Sequence, residues 1–392
     1  MNNYDYIIIG AGASGLLLAD AIGRDNYFSD KKVLLLDKDA KSVNDRTWCF
    51  WEKGKGQFES ILNRTWDKIH FEGKQISKKT DIAPYQYKMI RGIDFYNHYL
   101  NRIAHYPNIE FRQEEVLDLS ETLTSVSVKT TKGSYTGKYV FNSIFNYQMA
   151  TQQSKYPVLQ QHFIGWTIKT EHPVFVPDQV TYMDFSVPQK GNTRFMYVLP
   201  FSETTALIEY TLFSKDLLRK EEYENAIKNY ISSKFTTESY EILDTEKGSI
   251  PMTCYDFREL HTNRVRYIGT AGGWAKPSTG YTLMSTSKKI PKLIALLKQG
   301  EPVKKLKLKN KFWYYDLLFL DVLYTDNAKG HQIFEDLFKA RSPQLVFKFL
   351  DEETNIWEDF AYINSCPKVP FTKAFFRRLF KLFGSSNLHQ IA

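Results

Sequence analysis

Cysteine is scarce in this chain: Cys49, Cys254 and Cys366 are three in 392 residues with no short spacing between them, so neither a disulfide framework nor a thiolate metal site is expected. A reducing compartment fits that usage. The eight histidines, among them His98, His105 and His261, lack the His-x-x-x-His or carboxylate spacing of metal sites, and metal catalysis is not expected. No G-x-S-x-G elbow occurs, which removes support for serine hydrolase chemistry. Long apolar runs are missing too. The most apolar stretch, Phe312 to Tyr324, is interrupted by Asp316 and Asp321 and falls short of the ~20 residues of a bilayer span. The first ten residues carry no basic segment, so a secretory signal is not expected.

What is present is globular in balance: 43% hydrophobic and 24% charged residues exclude a disordered, collagen-like or coiled-coil chain. Aromatic residues stand out, with 28 Phe and 25 Tyr. The length exceeds the ~150 residues usual for one domain, which leaves one large domain or two interleaved ones. Tyr4 to Ile9 is a buried-strand pattern that runs into Gly10-Ala11-Gly12-Ala13-Ser14-Gly15, then a helical segment, then Val33 to Leu36 ending at Asp37, a βαβ unit. From Asn108 to Asn142 short strands follow (Ile109 to Arg112, Leu123 to Lys129, Tyr135 to Phe141), read as antiparallel. A separate sheet is expected over roughly Phe163 to Thr211, with Val180 to Val187, Arg194 to Val198 and Ala206 to Thr211 as its clearest strands. Arg264 to Ile268 returns to buried-strand character before a glycine-rich turn and a helix from about Tyr281 to Lys298, and beyond residue 300 the chain reads as helical and aromatic.

Gly10, Gly12 and Gly15 match G-x-G-x-x-G, in which the glycines allow a tight turn, phosphate approach to the backbone, and close packing of helix on strand. Asp37 is placed to accept ribose hydroxyls at the end of the second strand. An early fingerprint, a late return strand and a second cluster at Gly269-Thr270-Ala271-Gly272-Gly273 together favour FAD, with Gly272 and Gly273 near the pyrophosphate or the flavin ring. The expected fold is therefore α/β: an FAD-binding Rossmann-like domain (1–155 and 245–300), an interleaved antiparallel-sheet substrate domain (156–244) and a helical, basic-aromatic C-terminal region (301–392).

Asp45-Arg46-Thr47-Trp48 resembles the D-R-T-W segment of bacterial lycopene cyclases, and Gly272-Gly273-Trp274-Ala275-Lys276-Pro277-Ser278-Thr279-Gly280-Tyr281 resembles their G-G-x-x-K-P-S-T-G-Y segment. With Leu199-Pro200-Phe201-Ser202 and Leu207-Ile208-Glu209-Tyr210-Thr211, the resemblance spans essentially the whole chain. It implies a flavin hydroxylase type of fold, FAD in its reduced form with NADPH as reductant, and lycopene and other ψ-end carotenoids as substrates, cyclised without net redox to γ-carotene and β-carotene. Plant relatives carry F-L-E-E-T where this chain has Leu207 to Thr211, so Glu209 takes the first glutamate and Tyr210 replaces the second. The resemblance makes Glu209 the catalytic acid or base.

The chemistry suits such a residue. An alkene is a poor base, and a carboxylic acid in an apolar pocket stays protonated at neutral pH because desolvation raises its pKa. On the expected strand Leu207, Glu209 and Thr211 share one face. Trp48, Trp51 and Trp274 are candidates for cation-π stabilisation of a carbocation or for core packing, and Arg46 and Lys276 for pairing with phosphate or flavin. Phe349-Leu350-Asp351-Glu352-Glu353-Thr354 looks like the plant motif as a string but reads as a solvated acidic helix boundary. The net charge of +8 is local. Lys298, Lys304, Lys305, Lys307, Lys309 and Lys311 form one basic run, and Phe371, Phe375, Phe376, Leu379, Phe380 and Phe383 fall at helical spacing beside Lys373, Arg377 and Lys381. That is an interfacial helix pattern, which predicts peripheral association with the inner face of the cell membrane from the cytoplasm. No motif supports nucleic-acid binding. Alternatives left open are an FAD-dependent monooxygenase or prenyl-lipid reductase of the same fold, or a non-catalytic carotenoid or flavin binder.

Overall fold

The computed structural model describes residues 3–384. The first apolar run forms β1 (Asn3–Ile9), the glycine turn opens α1 (Ala13–Gly23), and the chain returns as β2 (Val33–Asp37), parallel to β1. Ile7, Ile8, Leu34, Leu35 and Leu36 are wholly buried, because a parallel βαβ sheet is covered on both faces. α1 is buried from Ser14 to Ile22 and has no polar stripe, being enclosed in the core between this sheet and the helix at 283–298.

Five strands follow: β3 (Thr47–Lys53), β4 (Arg64–Trp66), β5 (Lys68–Glu72), β6 (Ser77–Asp81) and β7 (Tyr85–Arg91). Three of them make a small sheet in the order β3-β7-β4, which the sequence pattern did not reveal. The helix α2 (Gly92–Ile103) then crosses to β8 (Ile109–Gln113), which pairs with β2 in parallel. This corrects the antiparallel expectation for 109–112: a helical crossover delivers a parallel strand, and hairpins begin only afterwards. β9 (Val116–Glu121), β10 (Val126–Thr130) and β11 (Ser134–Asn142) are antiparallel to one another, and β11 lies parallel beside β1. Leu123, expected in a strand, sits 93% exposed in the β9–β10 turn.

After α3 (Tyr147–Thr151) comes a second seven-stranded sheet built from β12 (Val158–Thr170), β13 (Gln179–Asp184), β14 (Thr193–Pro200), β15 (Thr205–Ser214), the helix α4 (Lys220–Phe235) on one face, and β16 (Tyr240–Thr253). Its order is β16-β12-β15-β14-β13-β5-β6, so by strand pairing the sheet takes in residues 68–81 and continues to 253, beyond 156–244 at both ends. Along β15 the residues alternate: Ala206, Ile208, Tyr210 and Leu212 pack toward α4, while Leu207 and Phe213 join the core under the C-terminal helices. β17 (Val265–Tyr267) extends the first sheet beside β11, and α5 (Leu283–Lys298) covers α1. The remainder is helical: α6 (Lys311–Thr325), α7 (Gly330–Ala340), α8 (Pro343–Leu350), α9 (Ile356–Ile363) and α10 (Lys368–Gly384). The two acids that interrupt the apolar run of α6 are buried and paired, Asp316 with Lys276 at 3.0 Å and Asp321 with Arg378 at 2.5 Å. Among the described residues no helix is long and apolar enough to cross a membrane.

Candidate functional site

The turn after β1 is a cradle that only glycine permits. Gly10 has φ +96°, and a Cβ on Gly15 would lie 1.9 Å from the Gly10 carbonyl oxygen. Gly12, by contrast, has open space around it and caps α1 without any side-chain hydrogen bond, so the first N–H groups of the helix face a cavity of about 490 Å³. That combination of uncapped amides and free volume fits the pyrophosphate of a dinucleotide such as FAD. Asp37 stands at the end of β2, accepting from the Ala11 N–H at 2.6 Å and pairing with Lys41 at 3.3 Å. The second glycine cluster folds against the first: a Cβ on Gly269 would meet the Ser14 hydroxyl at 2.3 Å. Gly272 is crowded by the Tyr267 carbonyl and Gly273 has φ +71°, so these two shape the turn, while Thr270 reaches the cavity. Arg46 lines the same cavity with its guanidinium forked onto Asp45 at 2.7 and 3.1 Å.

At the other end of this cavity lies a pair of carboxyl groups. Register places Glu209 of β15 and Glu246 of β16 on either side of Gly165 in β12. Two strand spacings separate their backbones, but the residue between them has no side chain, so the two acids lean toward each other over it. A Cβ on Gly165 would already contact the Glu246 Cγ at 3.2 Å and the Glu209 Cβ at 3.4 Å. The two carboxyls are close enough for the charge of one to act on the other. Thr211 donates to the Glu209 Oε1 at 2.5 Å, and Thr47 of the D-R-T-W segment donates to the Glu246 Oε2 at 2.7 Å. Burial drives the Glu209 pKa well above the ordinary glutamate value, and the neighbouring Glu246 charge drives it further. Burial also raises Glu246, against the hydrogen bond it accepts from Thr47, so the two carboxyls titrate as a pair that retains a proton above the ordinary glutamate range. What surface each retains faces the cavity.

Tyr197, directly opposite Glu209 in the β14–β15 ladder, and Tyr281 separate this cavity from a second one of about 390 Å³ and line both. Burial raises the pKa of both phenols, which therefore stay neutral. The second cavity is apolar, walled by residues such as Met183, Phe213, Phe319 and Phe334, and reaches Ile363, Phe371 and Phe375 of α9 and α10. Around those residues the surface is unusually greasy: Trp357 is 79% exposed, Phe360 68% and Phe380 70%, with Val369 and Phe376 also exposed. The contribution of α9 to this patch was missed in the sequence, and Trp357 and Phe360 at i, i+3 were the available signal.

Other expectations are redistributed. Lys276 is buried between Asp316 at 3.0 Å and Glu352 at 3.4 Å, which leaves it no free charge for a phosphate or flavin. Trp51, stacked on Phe347 at 4.7 Å, and Trp274 are core, whereas Trp48 lines the 490 Å³ cavity. Asp351 is not simply solvated: it accepts from the Trp51 indole at 2.9 Å and burial pushes its pKa up to about 6. It stands away from the Glu209 cavity. The basic run is largely spent in ion pairs, Lys298 with Asp25, Lys305 with Glu301, Lys309 with Asp256 and Lys311 with Asp359. Of the expected interfacial helix, the side chains of Phe383 and Lys381 lie outside those described. Tyr210, in place of the second plant glutamate, points to the α4 face and accepts from Arg194 at 3.2 Å, so that position does not serve the Glu209 cavity.

Over 97% of the chain the fold is similar to a flavoprotein/dehydrogenase from Cytophaga hutchinsonii, covering all of that chain with a TM-score of 0.60 at 13% identity. A flavin-dependent brominase matches 98% of this chain and all of its own with a TM-score of 0.59 at 15% identity. These likenesses establish a flavoprotein fold with a mixed α/β core and a helical C-terminal region. In sequence, the lycopene beta-cyclase of Pantoea ananas is 24% identical over 286 residues, 72% of this chain and 71% of that protein. The enzyme of the same name from Pseudescherichia vulneris is 24% identical over 294 residues, 71% of this chain and 70% of its own. The family model described as lycopene cyclase protein matches residues 5–375, and the chain belongs to the lycopene cyclase family.

Proposed function

We propose that this chain is a lycopene β-cyclase that binds FAD and works with the cofactor reduced, NADPH being the reductant. The observation that carries the reading is a carboxyl, Glu209, set where a dinucleotide cradle meets an apolar cavity, in surroundings that raise its pKa. A ψ-end entering through the apolar cavity passes Tyr197 and Tyr281 and presents its terminal double bond to the Glu209 hydroxyl. Glu209 delivers its proton to C2, the C5=C6 bond closes on the C1 cation, and the C5 cation loses the C6 proton. No electrons are gained or lost, so substrate and product have the same mass. Gly10, Gly12, Gly15 and Asp37 would hold the dinucleotide, with Arg46 and the turn of Gly272 and Gly273 beside it. When bound, a reduced flavin supplies negative charge near the developing cation without transferring electrons.

The protein contributes the rest. Neutral tyrosines and Trp48 wall the reaction space with aromatic faces, which favour a cation by about 1–2 kcal/mol each when water is excluded. Burial keeps the acid protonated and keeps water from capturing the cation. Repeating the cycle at the second ψ-end takes γ-carotene to β-carotene. The exposed Trp357, Phe360, Phe376 and Phe380 beside the cavity, with Lys373 and Arg377 exposed on α10, support docking on an anionic membrane surface, where a C40 hydrocarbon dissolves.

The test is turnover of micellar lycopene by purified protein with photoreduced FAD under anaerobic conditions. A cyclic product of unchanged mass is expected from the wild type and none from Glu209→Gln. A product heavier by oxygen or by hydrogen would place the chain with the monooxygenases or reductases of this fold.

A further inference from the structure

We infer that Glu246 is a positioning residue for this chemistry: from across Gly165 it holds the single proton of the pair on Glu209 and restores it there after each ring closure. The inference rests on the cyclase reading above and deepens it. Three observations place Glu246 in that role. Gly165 removes the side chain that would otherwise stand between the two acids. The Thr47 hydroxyl donates to Glu246 and the Thr211 hydroxyl to Glu209, each stabilising the charged form of its acceptor, so the pair is held in place from both sides. Among the described residues the cations lining the cavity are Arg46, forked onto Asp45, and Lys247, the next residue along β16, and none forms an ion pair with either carboxyl.

The remaining groups facing the pair are acids and neutral donors. Asp45 before β3 and Asp244 on β16 act on Glu246, and Cys49 of β3 and Tyr197 of β14 are the neutral groups that face the pair. In such surroundings two buried carboxyls cannot both be ionised at rest, and one proton is retained between them. The cycle then balances. Glu209 gives its proton to C2 and becomes a carboxylate beside the Glu246 carboxylate; the C6–H electron pair forms the new C5=C6 bond and its proton returns to the pair. C2 and C6 flank C1 in the new ring, so one carboxyl group reaches both. Mutual repulsion of the two carboxylates makes the return favourable, and the enzyme ends the turnover as it began.

The experiment compares the pH dependence of kcat/KM with the titration of the protonated-carboxyl stretching band in difference infrared spectra, using wild type, Glu246→Gln and Thr47→Val, each checked for FAD content. The Glu209 component of the band is the part lost in Glu209→Gln. In Glu246→Gln, both the alkaline limb of the profile and the band midpoint are expected to fall by about one pH unit or more, because the like charge is gone. In Thr47→Val both should move the other way, since the charged form of the pair loses its donor. Glu246→Asp keeps the charge and should restore part of the shift. Wild-type turnover with an unmoved limb and band in Glu246→Gln overturns the inference alone, as does activity lost at every pH with the band titrating as in wild type. If the wild type forms no ring, the cyclase reading falls, and the infrared titration decides the pair by itself.

Discussion

Glu209→Gln is expected to make the folded chain more stable at pH 8 while removing its activity. The reason is the environment of the carboxyl: burial and the Glu246 charge raise its folded pKa well above the 4.5 of an ordinary glutamate. Between 4.5 and that folded value the native state binds more protons than the unfolded chain, so stability falls as pH rises through the window. Each unit of upward displacement costs about 1.4 kcal/mol once the pH exceeds the folded value. Glutamine is of nearly the same size, carries no charge at any pH, and keeps an acceptor for the Thr211 hydroxyl. At alkaline pH the variant therefore gains about 1.4 kcal/mol for every unit of that displacement, read as a higher Tm. At pH 5 the advantage should nearly vanish. Thermal scans of equally FAD-loaded wild type and variant from pH 5 to 8.5 read this directly. Parallel Tm curves, or a variant less stable than wild type at pH 8, would refute the claim that the fold holds this proton against its solution tendency.

Two further outcomes follow from the geometry. Gly15→Ala should abolish FAD binding, read as loss of flavin absorbance in the purified protein, because its Cβ would fall 1.9 Å from the Gly10 carbonyl and force the turn open. Replacing Trp357, Phe360, Phe376 and Phe380 together by serine should weaken cosedimentation with anionic liposomes by more than tenfold, each large ring withdrawn from the acyl boundary forfeiting roughly 1.5 kcal/mol or more. The Tm of that variant should stay close to wild type, because all four rings are exposed in the folded chain. Unchanged sedimentation would count against a membrane role for α9 and α10. Truncation at Phe371 is a poorer test, since it also removes the Arg378 that neutralises buried Asp321.

The amino-acid sequence by itself determined the local devices: the glycine turn between β1 and α1, the acid closing β2, the odd-numbered face of β15 that carries Glu209, and the aromatic helices beyond residue 300. Each depends on residues a few positions apart, whose periodicity and conformational freedom act before any tertiary contact forms. Only the tertiary structure decided that Glu246 meets Glu209, because that meeting depends on the register of β12 against two strands far from it in sequence. The same holds for Lys276, where a lysine that looked available for a cofactor is consumed by an acid forty residues along the chain. Gly165 shows the reason most directly: its missing side chain has no meaning along the chain, and acquires one only when neighbouring strands bring two carboxyls to the gap it leaves.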